Sequence, residues 1–157
     1  MFVKMRRKDR QITTEEACAI LLHGEYGILS MFDDEFPYGI PVNYVYMNHA
    51  VYFHCAPEGH KLQCIQQNPK VSFCVVRKVK RLPEILSTAY ESAVVFGNAC
   101  IVEGEEKRNA LWELVKKYAP HHTERSTECI EKEWENTKVV KIEILHISGK
   151  ANRANPS

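Results

Sequence analysis

No stretch of this sequence approaches the ~20 consecutive apolar residues that a membrane-spanning helix needs. A secretory leader is missing too. Residues 4–10 are basic, but residues 11–16 are polar where the apolar segment should follow. The expected location is therefore cytoplasmic, with no membrane partner. Charge of one sign is also scarce. Lys and Arg number 21 against 20 Asp and Glu, a formal net charge of +1. Such a balance argues against a dedicated nucleic-acid binder. No G-x-S-x-G, P-loop or G-x-G-x-x-G occurs, and there is no internal repeat or low-complexity segment. The six cysteines, Cys18, Cys55, Cys64, Cys74, Cys100 and Cys129, form no C-x-x-C pair. Scattered among apolar neighbours, they read as free, buried thiols. His60 and Cys64 stand four apart and could share a helical face, but no second tight pair accompanies them, so no metal is expected. His121-His122 follows Pro120 and reads as surface loop.

What is present is an ordinary globular composition, 45% hydrophobic and 26% charged. Residues 1–157 suggest one domain with a real core, flanked by a basic, mobile arm (1–10) and a polar tail (150–157). Thr13-Thr14-Glu15-Glu16 is a capping box that opens a helix ending at Gly24. Strands are expected over 26–32, 38–46, 51–55, 71–76, 90–102 and 139–147. The run 71–76, apolar at nearly every position, suggests burial on both faces. Residues 77–86, basic and holding Pro83, read as a surface loop. Gly97 suggests a bulge or a close backbone approach. Residues 105–118 are an amphipathic helix and 126–134 a further one. Trp112 and Trp134 fall on those helices as packing residues. The fold class is mostly β with peripheral helices. Short connections between consecutive strands favour antiparallel pairing, and six such strands suggest a closed or nearly closed barrel.

The stretch 41–68 concentrates the chemistry. A hairpin pattern runs to Cys55, Pro57 and Gly59 break it, and Leu62 and Ile65 begin a short helix that Pro69 stops. His54, His60 and Lys61 gather where a strand end feeds a helix start. Helix starts carry free N–H groups and partial positive charge, so this junction is a candidate anion site, best suited to phosphate.

Several motifs in order resemble one family: Pro41-Val42-Asn43-Tyr44, Tyr52-Phe53-His54-Cys55-Ala56-x-Glu58-Gly59-x-Lys61, Asn68-Pro69-x-Val71, and Tyr90-Glu91-Ser92 followed by Val95-Phe96-Gly97. The chain resembles the 5-nitroimidazole resistance (nitroimidazole reductase) proteins of the pyridoxamine 5'-phosphate oxidase-like, FMN-binding split barrels. That resemblance implies a six-stranded antiparallel split β-barrel and a homodimer with FMN, or alternatively FAD, at the interface. By the same resemblance His54, Cys55, His60 and Lys61 surround the phosphate and ribityl chain. The Val42-Asn43-Tyr44 backbone lies along the flavin ring, and Ser92 contributes across the interface. A lysine ~4 Å from a phosphate charge, at an effective dielectric of ~20, gains roughly 4 kcal/mol before desolvation. His60 stands where more basic relatives carry arginine, and the Trp-x-x-x-Arg ending of true pyridoxamine-phosphate oxidases is missing. The activity implied is flavin-dependent reduction of a small nitroaromatic substrate, with His54 as proton donor. A non-catalytic flavin-binding or redox-sensing module and a haem-binding split barrel are the alternatives.

Overall fold

The computed structural model describes residues 2–153. The first helix, α1 (Thr14–His23), follows a two-residue strand, β1 (Gln11–Ile12). Its capping box forms as the spacing predicts. Glu16 N–H donates to Thr13 Oγ1 at 3.2 Å, and Thr13 N–H donates to Glu16 Oε2 at 3.0 Å. Next come β2 (Gly27–Phe32) and β3 (Pro37–Val42). The turn between them is held by Asp33, whose carboxylate accepts from Phe36 N–H at 2.7 Å and Glu35 N–H at 3.3 Å. After β4 (Val45–Met47), Asn48 and His49 both take positive φ, 50° and 57°. That backbone matches the right-handed twist of the flanking strands and leads directly into β5 (Ala50–Cys55).

The rest of the chain is built on two long ladders. Helix α2 (His60–Gln67) leads into β6 (Lys70–Leu82), which pairs with β7 (Ser87–Val102). Helices α3 (Gly104–Tyr118) and α4 (Thr123–Lys132) precede β8 (Lys138–Asn152). All pairings are antiparallel, in the order β3-β2-β6-β7-β8-β5-β4, with β1 on β8. The sheet's two end strands, β3 and β4, do not pair with each other, so it stays open.

Several expectations need correction. The described residues hold eight strands, not six: β1 was too short to register as a pattern, and the run 38–46 is divided between β3 and β4. Residues 77–82 continue β6 rather than forming a loop, and 83–86 make the connection to β7. The ladder resumes at Lys80↔Ala89 after a register shift that Lys78 absorbs at φ 52°. The hairpin continues beyond the core, where nothing demands apolar alternation. The run 71–76 is not buried on both faces of this chain. Val71, Phe73 and Val75 point inward, Ser72 and Cys74 are half-exposed, and Val76 is exposed. Residues 150–152 belong to β8; the rest of the tail, beyond Arg153, lies outside the described residues. The arm is anchored: Phe2 stacks on His146 at 4.4 Å and on Phe96 at 5.5 Å between ring centres. All six thiols are free, but only Cys64 is buried.

Two apolar clusters lie on opposite faces of the sheet. The larger, including Leu29, Phe53, Phe73, Val95 and Ile142, fills the concave side under α1 and α2. The smaller sets Val45, Ala50, Tyr52 and Val139 against Ala110, Leu111 and Leu114 of α3. Burying each of those leucines is worth about 1.5–3 kcal/mol, which docks α3 over β5 and β8. His54 follows Tyr52 by two, so strand alternation turns it towards the same α3 side. The fold thereby aims the end of β5 at the helices.

Candidate active site at the end of strand β5

Strand β5 runs between β4 and β8 and buries Val51, Tyr52 and Phe53 completely or nearly so. Order ends at Cys55 because Pro57 and Gly59 cannot extend the ladder. Gly59, at φ 142°, is the N-cap of α2, a conformation that a side chain would strain. No side chain caps this helix and its first turn carries no acid. Its opening N–H groups are therefore available to an anion.

Lys61 sits in that first turn, half-buried, and its charge reaches both residues at the strand end. His54 is held below the ordinary histidine value, first by the walls that strip its water and then by Lys61. Its ring is still open to solvent on one side. Burial pushes the Cys55 thiol up, and Lys61 partly offsets this. His54, Cys55 and Lys61 thus form one electrostatic unit. His60 does not join them. Its Nε2 lies 3.3 Å from Asp33 Oδ2 and 3.8 Å from Cys64 Sγ, and its ring meets Tyr38 edge-on at 4.7 Å. It faces the β2–β3 turn, away from Lys61's partners. Among the described residues no three His, Cys, Asp or Glu groups are arranged to hold a metal.

Val42 ends β3, packed on the larger cluster. Asn43 and Tyr44 form the link to β4. Tyr44 is fully buried, and its hydroxyl donates to Leu21 O at 2.5 Å. Its backbone is engaged by the end of α3: the N–H donates to Tyr118 Oη at 3.0 Å, and the carbonyl accepts from Lys117 Nζ at 2.8 Å. Lys117 Nζ also lies 3.9 Å from the Tyr44 ring centre. Burial of this ammonium brings its pKa down to about 8. The sequence reading missed both clamps. Tyr118 was legible only as the last residue of an amphipathic helix, and Lys117 carried no signal of its own; the pairing spans 73 residues of chain.

Asn43 and His54 come together as the floor of a cleft of about 250 Å³ between α3 and α4. Leu111, Leu114 and Val115 wall it on one side and Ile130 on the other. Ser92 is elsewhere. On β7 it pairs with Lys150, and its hydroxyl donates to Lys150 O at 3.3 Å. His54 pairs with Val139, eleven residues earlier along β8. Ser92 therefore lies towards the other end of β8 and does not line the cleft that holds His54.

The architecture has known counterparts. Residues 13–151 match the family described as pyridoxamine 5'-phosphate oxidase. The chain belongs to that family. Among solved structures, a candidate 5-nitroimidazole antibiotic resistance protein of Bacteroides thetaiotaomicron is 27% identical, over 90% of this chain and 86% of its own, with a TM-score of 0.73. Two further solved structures share the fold at 19% identity. A flavocytochrome of Azotobacter vinelandii aligns over 98% of this chain and 74% of its own (TM-score 0.81). An FAD and haem binding protein of Mycobacterium smegmatis aligns over 94% of this chain and 76% of its own (TM-score 0.76). No match was found among curated proteins. No helix among the described residues of this family member is long and apolar enough to cross a membrane.

Proposed function

We propose that this chain is a flavin-dependent oxidoreductase, a homodimeric split barrel that reduces small nitroaromatic compounds of the 5-nitroimidazole kind. The observation that carries the reading is the junction of β5 and α2. There Lys61 bears on His54 and Cys55 at a helix start with no capping side chain and no acid. Such a site suits the phosphate of FMN, or the diphosphate of FAD, through charge-assisted hydrogen bonds and helix-terminal N–H groups. The likeness to the Bacteroides protein supports the choice of substrate class.

When bound, a flavin supplies electrons singly or in pairs. The chain's own residues do the rest. Lys61 holds the phosphate, Asn43 lies beside the ring, and the α3 clamp on Tyr44 keeps Asn43 in place. His54 delivers a proton to the nitro oxygen. Reduction to the nitroso level takes two electrons and two protons and releases water, and repetition leads to the amine.

The test begins with the visible spectrum of the purified protein. Flavin bands near 370 and 450 nm (roughly, as for any bound flavin) are expected. A Soret band would favour haem, which two fold relatives carry. Flavin titration of Lys61→Ala beside wild type comes next. Loss of one charge-assisted contact of about 1.5–3 kcal/mol weakens binding roughly 10- to 150-fold. Equal dissociation constants would show that the phosphate is held elsewhere.

A further inference from the structure

The cleft between α3 and α4 opens from the same floor as the flavin site but is not shaped for a flavin. Its volume is about 250 Å³. An apolar cavity of about 150 Å³ takes up benzene. The cleft therefore has room for one substituted ring and not for a fused three-ring system with its chain. The walls, Leu111, Leu114, Val115 and Ile130, are apolar, and the polar groups of Asn43 and His54 converge at the floor. That is the usual make-up of a small-molecule site. Helix α4, which forms one wall, has no fully buried residue and meets the smaller cluster through the partly buried Ile130, so that side of the slot is lightly packed.

Charge discriminates further. Glu133 lines the cleft, and no lysine or arginine does among the described residues. A phosphorylated or carboxylated ring would meet a like charge, and Lys61, whose charge bears on His54 from outside the lining, is already committed to the flavin phosphate in the proposed function. We propose that this cleft is the acceptor site, and that it selects single aromatic rings that are neutral or cationic. Phosphorylated pyridine compounds, despite the family's name, are excluded. The polar substituent of the ring rests on Asn43 and His54, and its apolar body lies between the two helices. This rests on the proposed function for the reaction but not for the binding.

Binding can be read without turnover. The purified protein, its flavin content measured beforehand, is titrated calorimetrically with 4-nitrobenzyl alcohol, 4-nitrobenzylamine and 4-nitrobenzoate. The alcohol and the amine should bind at least about fivefold more tightly than the benzoate, the factor that one charge at contact distance gives near solvent. Glu133→Gln should narrow that gap. Cys129→Trp, a substitution at an exposed α4 residue that lines the cleft, should weaken the alcohol at least tenfold and leave flavin affinity unchanged. Amide shifts of the wild type on adding the alcohol should cluster at Leu111, Ala119, Ile130 and Thr137, which decides the matter even if the tryptophan variant does not fold. Shifts centred elsewhere, an unchanged dissociation constant in Cys129→Trp, or loss of flavin with that variant would each overturn the proposal. A protein that takes up no flavin but binds the alcohol in the cleft would refute the proposed function alone.

Discussion

Lys117 shows how one residue can carry a charge that the fold makes expensive. Its ammonium is satisfied by the Tyr44 carbonyl and the Tyr44 ring, yet burial brings its pKa from 10.5 down to about 8. The unfolded chain keeps this proton up to about pH 10.4, whereas the folded chain releases it near 8. Between those values the unfolded state binds more protons, so this residue makes stability rise with pH. Urea unfolding of wild type and Lys117→Met at pH 7.5 and 9.5 isolates the effect. The wild type should gain on the variant at the higher pH. An equal difference at both would show Lys117 to be fully hydrated. His54 makes a kinetic prediction of the same kind. Its depressed pKa leaves little imidazolium at neutral pH. Nitro reduction by dithionite-reduced protein should therefore accelerate on acidification below about pH 6.5, and His54→Ala should be slower and lose that dependence while keeping its flavin.

The same economy governs whole elements. The β7–β8 register slips between Phe96 and Gly97, where Leu145 of β8 is the extra, unpaired residue. A Cβ at Gly97 would collide with the Glu143 carbonyl oxygen and come 2.9 Å from Ile142 Cγ2. The neighbouring strand cannot retreat, because Ile142 is buried in the core. Gly97→Ala should cost about 1–3 kcal/mol, the usual range for overpacking, measured by thermal or denaturant unfolding. A neutral substitution would mean that β8 yields at the bulge. Helix α4 is held differently. Lys107, 2% exposed, donates from Nζ to Trp134 O at 2.8 Å and lies 4.2 Å from the Trp134 ring centre. Arg108 flanks the same ring at 4.9 Å. Trp134 lies two residues past the end of α4, not on the helix expected for it, and it fastens that end to α3 in the packing role the sequence suggested.

At the scale of the molecule, the outward face of β2, β6 and β7 is left partly open, with Phe2 of the arm stacked on Phe96. Ile28, Phe32, Val76 and Phe96 point away from the core on adjoining strands β2, β6 and β7, and are 38–52% exposed. A contiguous apolar face of this kind marks an interaction surface. Ser92, beside Val76 in the ladder, lies on it. In the proposed homodimer, a flavin shared across this face would take Ser92 from one chain and His54 from the other. Sedimentation should therefore report twice the 18.1 kDa chain mass at micromolar concentration. Val76→Asp should shift it towards monomer and weaken flavin binding together. Monomeric wild type with full flavin affinity would refute the shared site.

Local chemistry made much of this readable from the chain. The Thr13–Glu16 box, the break at Pro57 and Gly59, the bulge at Gly97 and the apolar stripe of α3 depend on neighbours within a few residues, and each was legible. So was the strand-to-helix junction holding His54 and Lys61. Other features depended on contacts across many residues. His60 looked like Lys61's partner because it adjoins it, but successive positions on a helix do not face each other, and Asp33 from another turn captured it. The extended β6–β7 hairpin escaped notice because its strands leave the core, where pairing needs no apolar pattern. Lys117 and Tyr118 became clamps only when α3 docked over β5 and set them against Tyr44. Sequence alone determined the main helices, most of the strands and the placing of a strand end and a helix start beside a cation. Tertiary packing decided which of those end groups face one another, because contact between distant segments is a property of the closed core and not of any stretch within it.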